Sequence, residues 1–271
     1  MAAEPGKRVT VLSIAAKKAS GERIVMLTAY DALFGRLVDE AGVDIVLVGD
    51  SVATVLAGEE TTLPATLDQM IYHGRSVRRG VSRALVVVDL PFLTYQISVE
   101  EAIRNAGRVL QETGAGAVKL EGGRAVVDTV RALVAAGIPV MGHLGFTPQS
   151  VRTIGGHRVQ GRDERVAAAL VEDAKALDAA GVFAIVLELI PMAVAERITA
   201  EVSVPTLGIG AGPACDGQIL ILHDMLGLNE RFNPKFLKRY ADFGPAARTA
   251  IATFADEVRT GRFPDAAHSH A

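Results

Sequence analysis

Short apolar runs alternate with amphipathic stretches along almost the whole chain. The amphipathic stretches at residues 31–42, 99–114, 125–137 and 164–181 each end in Gly, as helices commonly do. The apolar runs have the length of strands and are apolar on both faces, which indicates strands buried between two layers. They lie at residues 24–29, 44–49, 84–89, 117–122, 139–145, 184–190 and 205–210, with a weaker eighth at 223–226.

This order of elements predicts a parallel sheet covered by helices. Eight such units in 271 residues favour a closed (β/α)8 barrel of the α/β class over an open doubly wound sheet. Residues 10–22 predict an extra N-terminal helix, which could cover the lower end of the barrel. No change of composition marks a second domain, so we expect one barrel domain over residues 1–271, with a frayed tail at 264–271.

Composition and charge exclude several classes of protein. The chain is 49% hydrophobic and 22% charged, has a net charge of −3, and lacks the basic stripe of a nucleic-acid-binding protein. Cys215 is the single cysteine, which indicates a reducing compartment, and we expect the cytoplasm. The first ten residues lack the apolar centre of a signal peptide, and no apolar run approaches the roughly 18 residues of a membrane span.

Ionisable residues mark the ends of five successive predicted strands. In the stretch VKLEGG (118–123), Lys119 and Glu121 share one face of a strand, where charges are expensive to bury unless they are paired or bind a ligand. In barrels of this kind the chemistry lies at the carboxyl ends of the strands. These ends carry Asp50 with Ser51, Asp89, Lys119 with Glu121, His143, and Glu188.

Each of these residues also has a purely structural interpretation. Asp50 or Ser51 could cap a helix, Asp89 could form a turn, and the others could be a structural histidine or members of ion pairs. Five strand ends with ionisable groups at one rim are hard to explain by packing alone. The group as a whole therefore favours a ligand site.

Three carboxylates without a cysteine suit Mg²⁺, which takes one or two carboxylates and completes its shell with water and substrate. We expect Asp50 and Asp89 to hold the ion, with Glu121 in or behind its first shell. The ion could chelate a 2-oxo acid and stabilise its enolate. Lys119 and His143 are suited to bind carboxylate or carbonyl oxygens, and Glu188 is the candidate general base.

Several stretches together resemble one known family, the ketopantoate hydroxymethyltransferases, from about Val9 to Phe263. The resemblance implies a (β/α)8 barrel of the phosphoenolpyruvate/pyruvate type. It also implies transfer of a hydroxymethyl group from 5,10-methylenetetrahydrofolate to 3-methyl-2-oxobutanoate, giving 2-dehydropantoate for pantothenate and coenzyme A synthesis. The stretches are TAYD (28–31), GDS (49–51), VVVDLPF (86–92), VKLEGG (118–123), GHLGFTPQS (142–150) and GIGAGPACDGQIL (208–220).

The resemblance also implies a role for each strand-end residue. One Mg²⁺ per subunit is held by Asp50 and Asp89, with Glu121 beside it, and Glu188 accepts a proton. Oxo-acid contacts come from Ser51, Asp50, Asp89, Lys119 and His143. All seven positions match the family's pattern, and the family forms homodecamers.

The sequence is also compatible with two other functions, and it does not decide the role of one segment. A metal-dependent 2-oxo-acid lyase or aldolase could use the same enolate, but the KKCGH-like loop of isocitrate-lyase-type enzymes is absent from the sequence. A non-catalytic barrel that binds an oxo acid would be expected to have lost Glu188. The polar, glycine-rich segment 152–164 could be a lid over the substrates or an ordinary solvated loop.

Overall fold

Eight parallel strands close into a barrel in the computed structural model, which describes residues 8–270. Each strand pairs with its neighbours in chain order, and β8 pairs with β1 to complete the ring. The predicted (β/α)8 barrel is therefore confirmed. The strands are β1 Ile24–Thr28, β2 Ile45–Val48, β3 Leu85–Asp89, β4 Ala117–Lys119, β5 Val140–Gly145, β6 Ala184–Glu188, β7 Thr206–Ile209 and β8 Gly217–Leu220.

Helices cover the outside of the strands. Every residue of β2 and β3 is buried, because one face of each strand packs in the barrel interior and the other against helices. The four helices expected at 31–42, 99–114, 125–137 and 164–181 are all present and are confirmed. The α-helices are α1 Val11–Ser20, α2 Ala32–Glu40, α3 Val52–Val55, α4 Leu67–Gly80, α5 Val99–Thr113, α6 Val127–Ala135, α7 Val151–Ile154, α8 Glu164–Ala180, α9 Met192–Glu201, α10 Leu222–Met225 and α11 Phe243–Arg259.

The extra N-terminal helix, α1, lies across the amino-terminal end of the barrel, as predicted. Its Lys18 donates to the carbonyl of Val204, at 3.0 Å, and pairs with Asp216, at 3.2 Å. Its Lys17 lies 3.1 Å from Asp44. These three partners precede β7, β8 and β2, so α1 closes the end of the barrel opposite the predicted site.

The prediction of an eighth strand at 223–226 is wrong. Residues 222–225 form the short helix α10, and the eighth strand is Gly217–Leu220. A Cβ atom at Gly217 would lie 2.3 Å from the carbonyl oxygen of Ile24, so the closing strand can approach β1 only with a glycine there. With Gly and Gln as its first two residues, the segment lacks the apolar run that identified the other strands.

The buried carboxylate of Asp39 in α2 connects that helix to the segment before β3. It accepts hydrogen bonds from the backbone N–H groups of Ser82, at 2.8 Å, Arg83, at 3.0 Å, and Ala84, at 2.6 Å. Burial alone would raise the pKa of Asp39, but these bonds outweigh it and lower the pKa below its ordinary value. The ionised carboxylate therefore stabilises the folded barrel.

Asp39→Asn is expected to lower the free energy of unfolding by about 2 kcal/mol at neutral pH, because an amide offers fewer acceptor sites to these N–H groups. The folded-state pKa is depressed, so the contribution is present above the unfolded-state pKa and is lost as the pH falls through the folded value. Urea unfolding of both proteins should show the difference at pH 7, and the difference should shrink below about pH 4. Equal stability at pH 7 would contradict this role.

The chain forms two compact units, one ending at Leu220 and the other beginning at Ile221. The first contains the barrel, and the second contains α10 and α11. One barrel domain over residues 1–271 stays a prediction, and residues 1–7 and 271 lie outside the described part. Within the expected tail, Ala266–His268 form a short 3₁₀ helix. Among the described helices, none has the length and apolar character needed to cross a bilayer.

Candidate active site

The strand-end residues meet at the carboxyl end of the barrel, because all eight strands run in the same direction. Asp89, Lys119 and Glu188 are the last residues of β3, β4 and β6, and His143 lies within β5. Asp50 follows β2 after one glycine. The side chains predicted from the sequence thus reach one small volume from five consecutive strands.

Asp89 and Lys119 form the buried ion pair at the centre of the site. Lys119 Nζ lies 2.9 Å from Asp89 Oδ1, and both side chains are only 5% exposed. The other oxygen, Asp89 Oδ2, accepts a hydrogen bond from the backbone N–H of Asp50 at 3.0 Å. The carboxylate of β3 is therefore fixed in orientation by its two neighbouring strands.

His143 connects this pair to two further carboxylates. Its Nδ1 lies 3.3 Å from Lys119 Nζ and 3.5 Å from Glu121 Oε1, and its Nε2 lies 3.3 Å from Glu188 Oε2. Burial and the charge of Lys119 both lower the pKa of His143, but Glu121 and Glu188 outweigh them and raise it to about 9. The raised pKa favours the protonated imidazole, which lies directly beside Glu188.

The site contains more carboxylates than cationic side chains. The carboxylates are Asp50, Asp89, Glu121 and Glu188, and the cationic side chains are Lys119 and His143. Burial, followed by the negative charges of Asp89 and Glu121, raises the pKa of Asp50 well above its ordinary value. Burial also raises the pKa of Asp89, although Lys119 opposes the shift. For Lys119, burial lowers the pKa but the surrounding carboxylates raise it above the usual range. An added cation would stabilise the ionised form of these acids.

The donor set fits a Mg²⁺ ion that takes only part of its shell from the protein. Within residues 8–270, no three His, Cys, Asp or Glu side chains converge closely enough to hold a metal by themselves. Mg²⁺ does not require such a cage, since it is commonly held by one or two carboxylates with water and substrate. Asp50 and Asp89 follow adjacent strands and lie side by side, since the backbone N–H of Asp50 donates to Asp89 Oδ2 at 3.0 Å. Glu121 contacts Gln149 N at 3.0 Å and His143 Nδ1 at 3.5 Å.

Ser51 belongs to a separate chain of hydrogen bonds beside the acids. Its hydroxyl lies 2.9 Å from the hydroxyl of Tyr30, a fully buried residue that follows β1. The backbone oxygen of Tyr30 lies 2.7 Å from His73 Nδ1. His73 lies inside α4. These contacts fix the side chain of Ser51 at the rim next to Asp50.

Glu188 lies at the more open edge of the group, with 18% of its side chain exposed. Its backbone is tightly held: the carbonyl accepts a hydrogen bond from Phe146 N at 2.8 Å, and a Cβ at Gly145 would lie 2.1 Å from the same oxygen. The next residue, Leu189, has a φ of +47°, which is uncommon for a residue with a side chain. Such local strain is found preferentially at functional sites.

The segment 152–164 contacts this same edge of the site. Gln160 N donates to the carbonyl of Leu189 at 2.8 Å, and the ring of His157 lies 4.8 Å from that of Phe146. The segment thus lies beside Glu188, the candidate base, whose side chain is 18% exposed. A lid role stays a prediction.

Sequence reasoning missed two residues that hold the acids together, Gln149 and Tyr95. Gln149 lies in a 3₁₀ turn after β5 and contacts both Asp50 and Glu121. Tyr95 lies in the loop after β3, and its hydroxyl is 2.8 Å from Gln149 Oε1. Both are polar residues in loops, where no strand or helix period indicates which way a side chain points.

Comparison with known proteins places the chain in a family. Residues 8–266 match the family described as ketopantoate hydroxymethyltransferase. The chain belongs to that family. A relative from Moorella thermoacetica named 3-methyl-2-oxobutanoate hydroxymethyltransferase is 57% identical over 262 residues, which cover 97% of each chain. A relative of the same name from Syntrophus aciditrophicus is 52% identical over 264 residues, also covering 97% of each. The predicted resemblance is confirmed.

Solved structures share the fold of this family member at low sequence identity. A phosphonopyruvate hydrolase solved with oxalate and Mg²⁺ gives a TM-score of 0.61 at 15% identity, covering 96% of this chain and 92% of that one. A 2,3-dimethylmalate lyase of the phosphoenolpyruvate mutase/isocitrate lyase superfamily gives 0.60 at 18% identity, covering 94% and 90%. These similarities support the (β/α)8 barrel fold.

Proposed function

We propose that this protein transfers a hydroxymethyl group from 5,10-methylenetetrahydrofolate to 3-methyl-2-oxobutanoate, giving 2-dehydropantoate. Family membership over residues 8–266 supports the choice of reaction. The observation that carries the mechanism is the position of Glu188, whose Oε2 lies 3.3 Å from the His143 imidazole at the edge of a buried group of acids and Lys119. That arrangement suits removal of a proton next to a carbonyl group.

The site contains more buried carboxylates than cationic side chains, and these carboxylates can bind a metal cation. We assign Asp50 and Asp89 as the residues that would hold Mg²⁺, with Glu121 behind them, because Asp50 and Asp89 lie side by side after adjacent strands and the negative charge of Asp89 contributes to the raised pKa of Asp50. When bound, the ion supplies Lewis-acid polarisation of the 2-oxo group. The excess of buried carboxylates over fixed cations supports this assignment.

Two cationic side chains suit the oxygens of the oxo acid. Lys119 and His143 are both buried, so their charges are weakly screened and act strongly on an oxygen that gains negative charge. Ser51, fixed by Tyr30, adds a hydroxyl that can donate a hydrogen bond to the same substrate. Together these groups stabilise the enolate more than the ketone, which is the condition for catalysis.

Glu188 is the proposed base. It takes the proton from C3 of the oxo acid, and the electron pair left at C3 forms the new bond to the one-carbon unit of the folate. Both bonds between that carbon and the folate nitrogens break: the bond to C3 replaces one, and the bond to the hydroxyl oxygen of water replaces the other. Tetrahydrofolate leaves with two protons on its nitrogens, one equivalent to the proton taken from C3 and one from water. The imidazole of His143 lies beside this carboxylate, with 3.3 Å between His143 Nε2 and Glu188 Oε2, and helps to orient it.

An assay of the purified protein tests this function. Incubation with 3-methyl-2-oxobutanoate, methylenetetrahydrofolate and Mg²⁺ should form 2-dehydropantoate and tetrahydrofolate in equal amounts, as measured by mass spectrometry. A chelator should stop the reaction, and added Mg²⁺ should restore it. Failure to form 2-dehydropantoate under these conditions would reject the proposal.

A homodecamer and a cytoplasmic location, both expected from the sequence, stay predictions. One feature of the second unit supports self-association: α11 leaves Phe243, Ile251, Phe254 and Val258 exposed. Apolar surface of this kind on a helix commonly marks a contact with another chain.

A further inference from the structure

Gln149 is an uncharged residue buried in the middle of the acid group. It is 6% exposed and lies in the turn Pro148–Ser150 that follows β5. Its backbone N–H donates to Glu121 Oε2 at 3.0 Å, and its side-chain Nε2 donates to Asp50 Oδ2 at 2.9 Å. One residue thus joins carboxylates that belong to two different strands, β2 and β4.

The surrounding contacts fix which end of the Gln149 amide faces Asp50. Nε2 donates its second proton to the carbonyl oxygen of Leu90, at 3.0 Å. Oε1 accepts from the Tyr95 hydroxyl, at 2.8 Å, and from Gln96 Nε2, at 3.3 Å. Turning the amide over would bring its oxygen against two acceptors, so the amide has one allowed orientation. Asp50 Oδ2 therefore accepts a hydrogen bond from Gln149 Nε2.

Tyr95 extends the same network to the backbone of β4. Its hydroxyl accepts a hydrogen bond from Glu121 N at 3.2 Å while it donates to Gln149. The ring is 2% exposed, and burial together with the nearby carboxylates raises the pKa of the phenol, so it stays a donor. Tyr95 therefore contacts both Gln149 and Glu121, which also contact each other.

We propose that Gln149 is a positioning residue that fixes the carboxylates of Asp50 and Glu121 for the cation and the oxo acid, and that Tyr95 keeps Gln149 in place. This inference rests on the proposed function. Groups that orient a metal ligand through hydrogen bonds typically contribute 10- to 100-fold in metal affinity. Gln149 acts through Asp50 and Glu121 and has no role in the transfer of the C3 proton. Its substitution should therefore change the affinity for Mg²⁺ more than the rate of the chemical step.

Gln149→Met keeps the length of the side chain and removes the side-chain N–H donors to Asp50 and Leu90 and the side-chain acceptor, while the backbone N–H that contacts Glu121 stays. Calorimetry should show a Kd for Mg²⁺ raised about 10- to 100-fold. Exchange of the C3 proton of 3-methyl-2-oxobutanoate for deuterium should slow at limiting Mg²⁺ and recover most of its rate at excess Mg²⁺. Gln111→Met, on the exposed side of α5, is the matched control and should change neither quantity.

A purely structural role makes a different prediction for Gln149→Met: a lower melting temperature with an unchanged Kd for Mg²⁺. That result would overturn the inference. If Gln149→Met does not fold, Tyr95→Phe decides, since it removes only one hydroxyl; a Kd equal to that of the wild type would then overturn it. Wild-type protein that binds Mg²⁺ but exchanges no C3 proton would instead reject the proposed function.

Discussion

Glu188→Gln is expected to slow exchange of the C3 proton of 3-methyl-2-oxobutanoate by about 10³-fold, within the usual contribution of a general base. The amide has nearly the size and shape of the carboxylate but cannot take up a proton. Its neighbour His143, 3.3 Å away, can still donate a hydrogen bond to the amide oxygen, so the site should keep its shape. Proton NMR in D₂O with Mg²⁺ measures the exchange directly and needs no folate.

Binding measurements separate the base role from a general loss of the site. Glu188→Gln should bind Mg²⁺ and the oxo acid with affinities close to those of the wild type, because the proposed metal ligands are unchanged. Glu196→Gln makes the same replacement on the exposed side of α9 and should exchange at the wild-type rate. Near-normal exchange in Glu188→Gln would remove this residue from the mechanism.

Asp89→Asn is expected to weaken Mg²⁺ binding by more than about 100-fold, beyond the range of a residue that only supports a ligand. The substitution removes one negative charge and one strong oxygen ligand, yet it retains an oxygen that can accept from the N–H of Asp50. Calorimetry with Mg²⁺ measures the loss. Asp50→Ala is expected to act in the same direction, because Asp50 is the other proposed ligand.

Asp89→Asn also lowers the stability of the folded protein, because it removes the charge that is paired with Lys119. Breaking a buried ion pair by removing one partner commonly costs about 3–5 kcal/mol. Thermal unfolding of Asp89→Asn should therefore show a lower midpoint, and binding should be measured well below it. Asp128→Asn, at a side chain that is 91% exposed, is the control for both measurements. Unchanged Mg²⁺ affinity in folded Asp89→Asn would reject the metal site.

The first seven strands could be located from the sequence because each lies in a nearly continuous apolar run, and β2, β3, β4 and β7 are buried throughout. Parallel strands in a closed ring then place their carboxyl ends together, which is why Asp89, Lys119 and Glu188 could be grouped without a structure. The eighth strand escaped the same reasoning. Gly217 and Gln218 give it no apolar run, and its pairing with β1 depends on a close approach of two backbones.

The contacts between the site residues could not be predicted in the same way. Strand ends fix where Asp50 and Glu121 lie, but the bridge between them comes from Gln149, 28 residues beyond Glu121 in the chain. Its position depends on the turn after β5, and its orientation depends on Tyr95 in another loop. Loop side chains follow no period that indicates their direction, so the sequence could not predict this part of the site.

A crystal structure with Mn²⁺, as a substitute for Mg²⁺, and 3-methyl-2-oxobutanoate, recorded with anomalous scattering, tests the proposed site most directly. We expect one anomalous peak per subunit, in contact with carboxylate oxygens of Asp50 and Asp89, and C3 of the oxo acid facing Glu188. A peak bound by other residues, or an oxo acid whose C3 points away from Glu188, would contradict the proposed site.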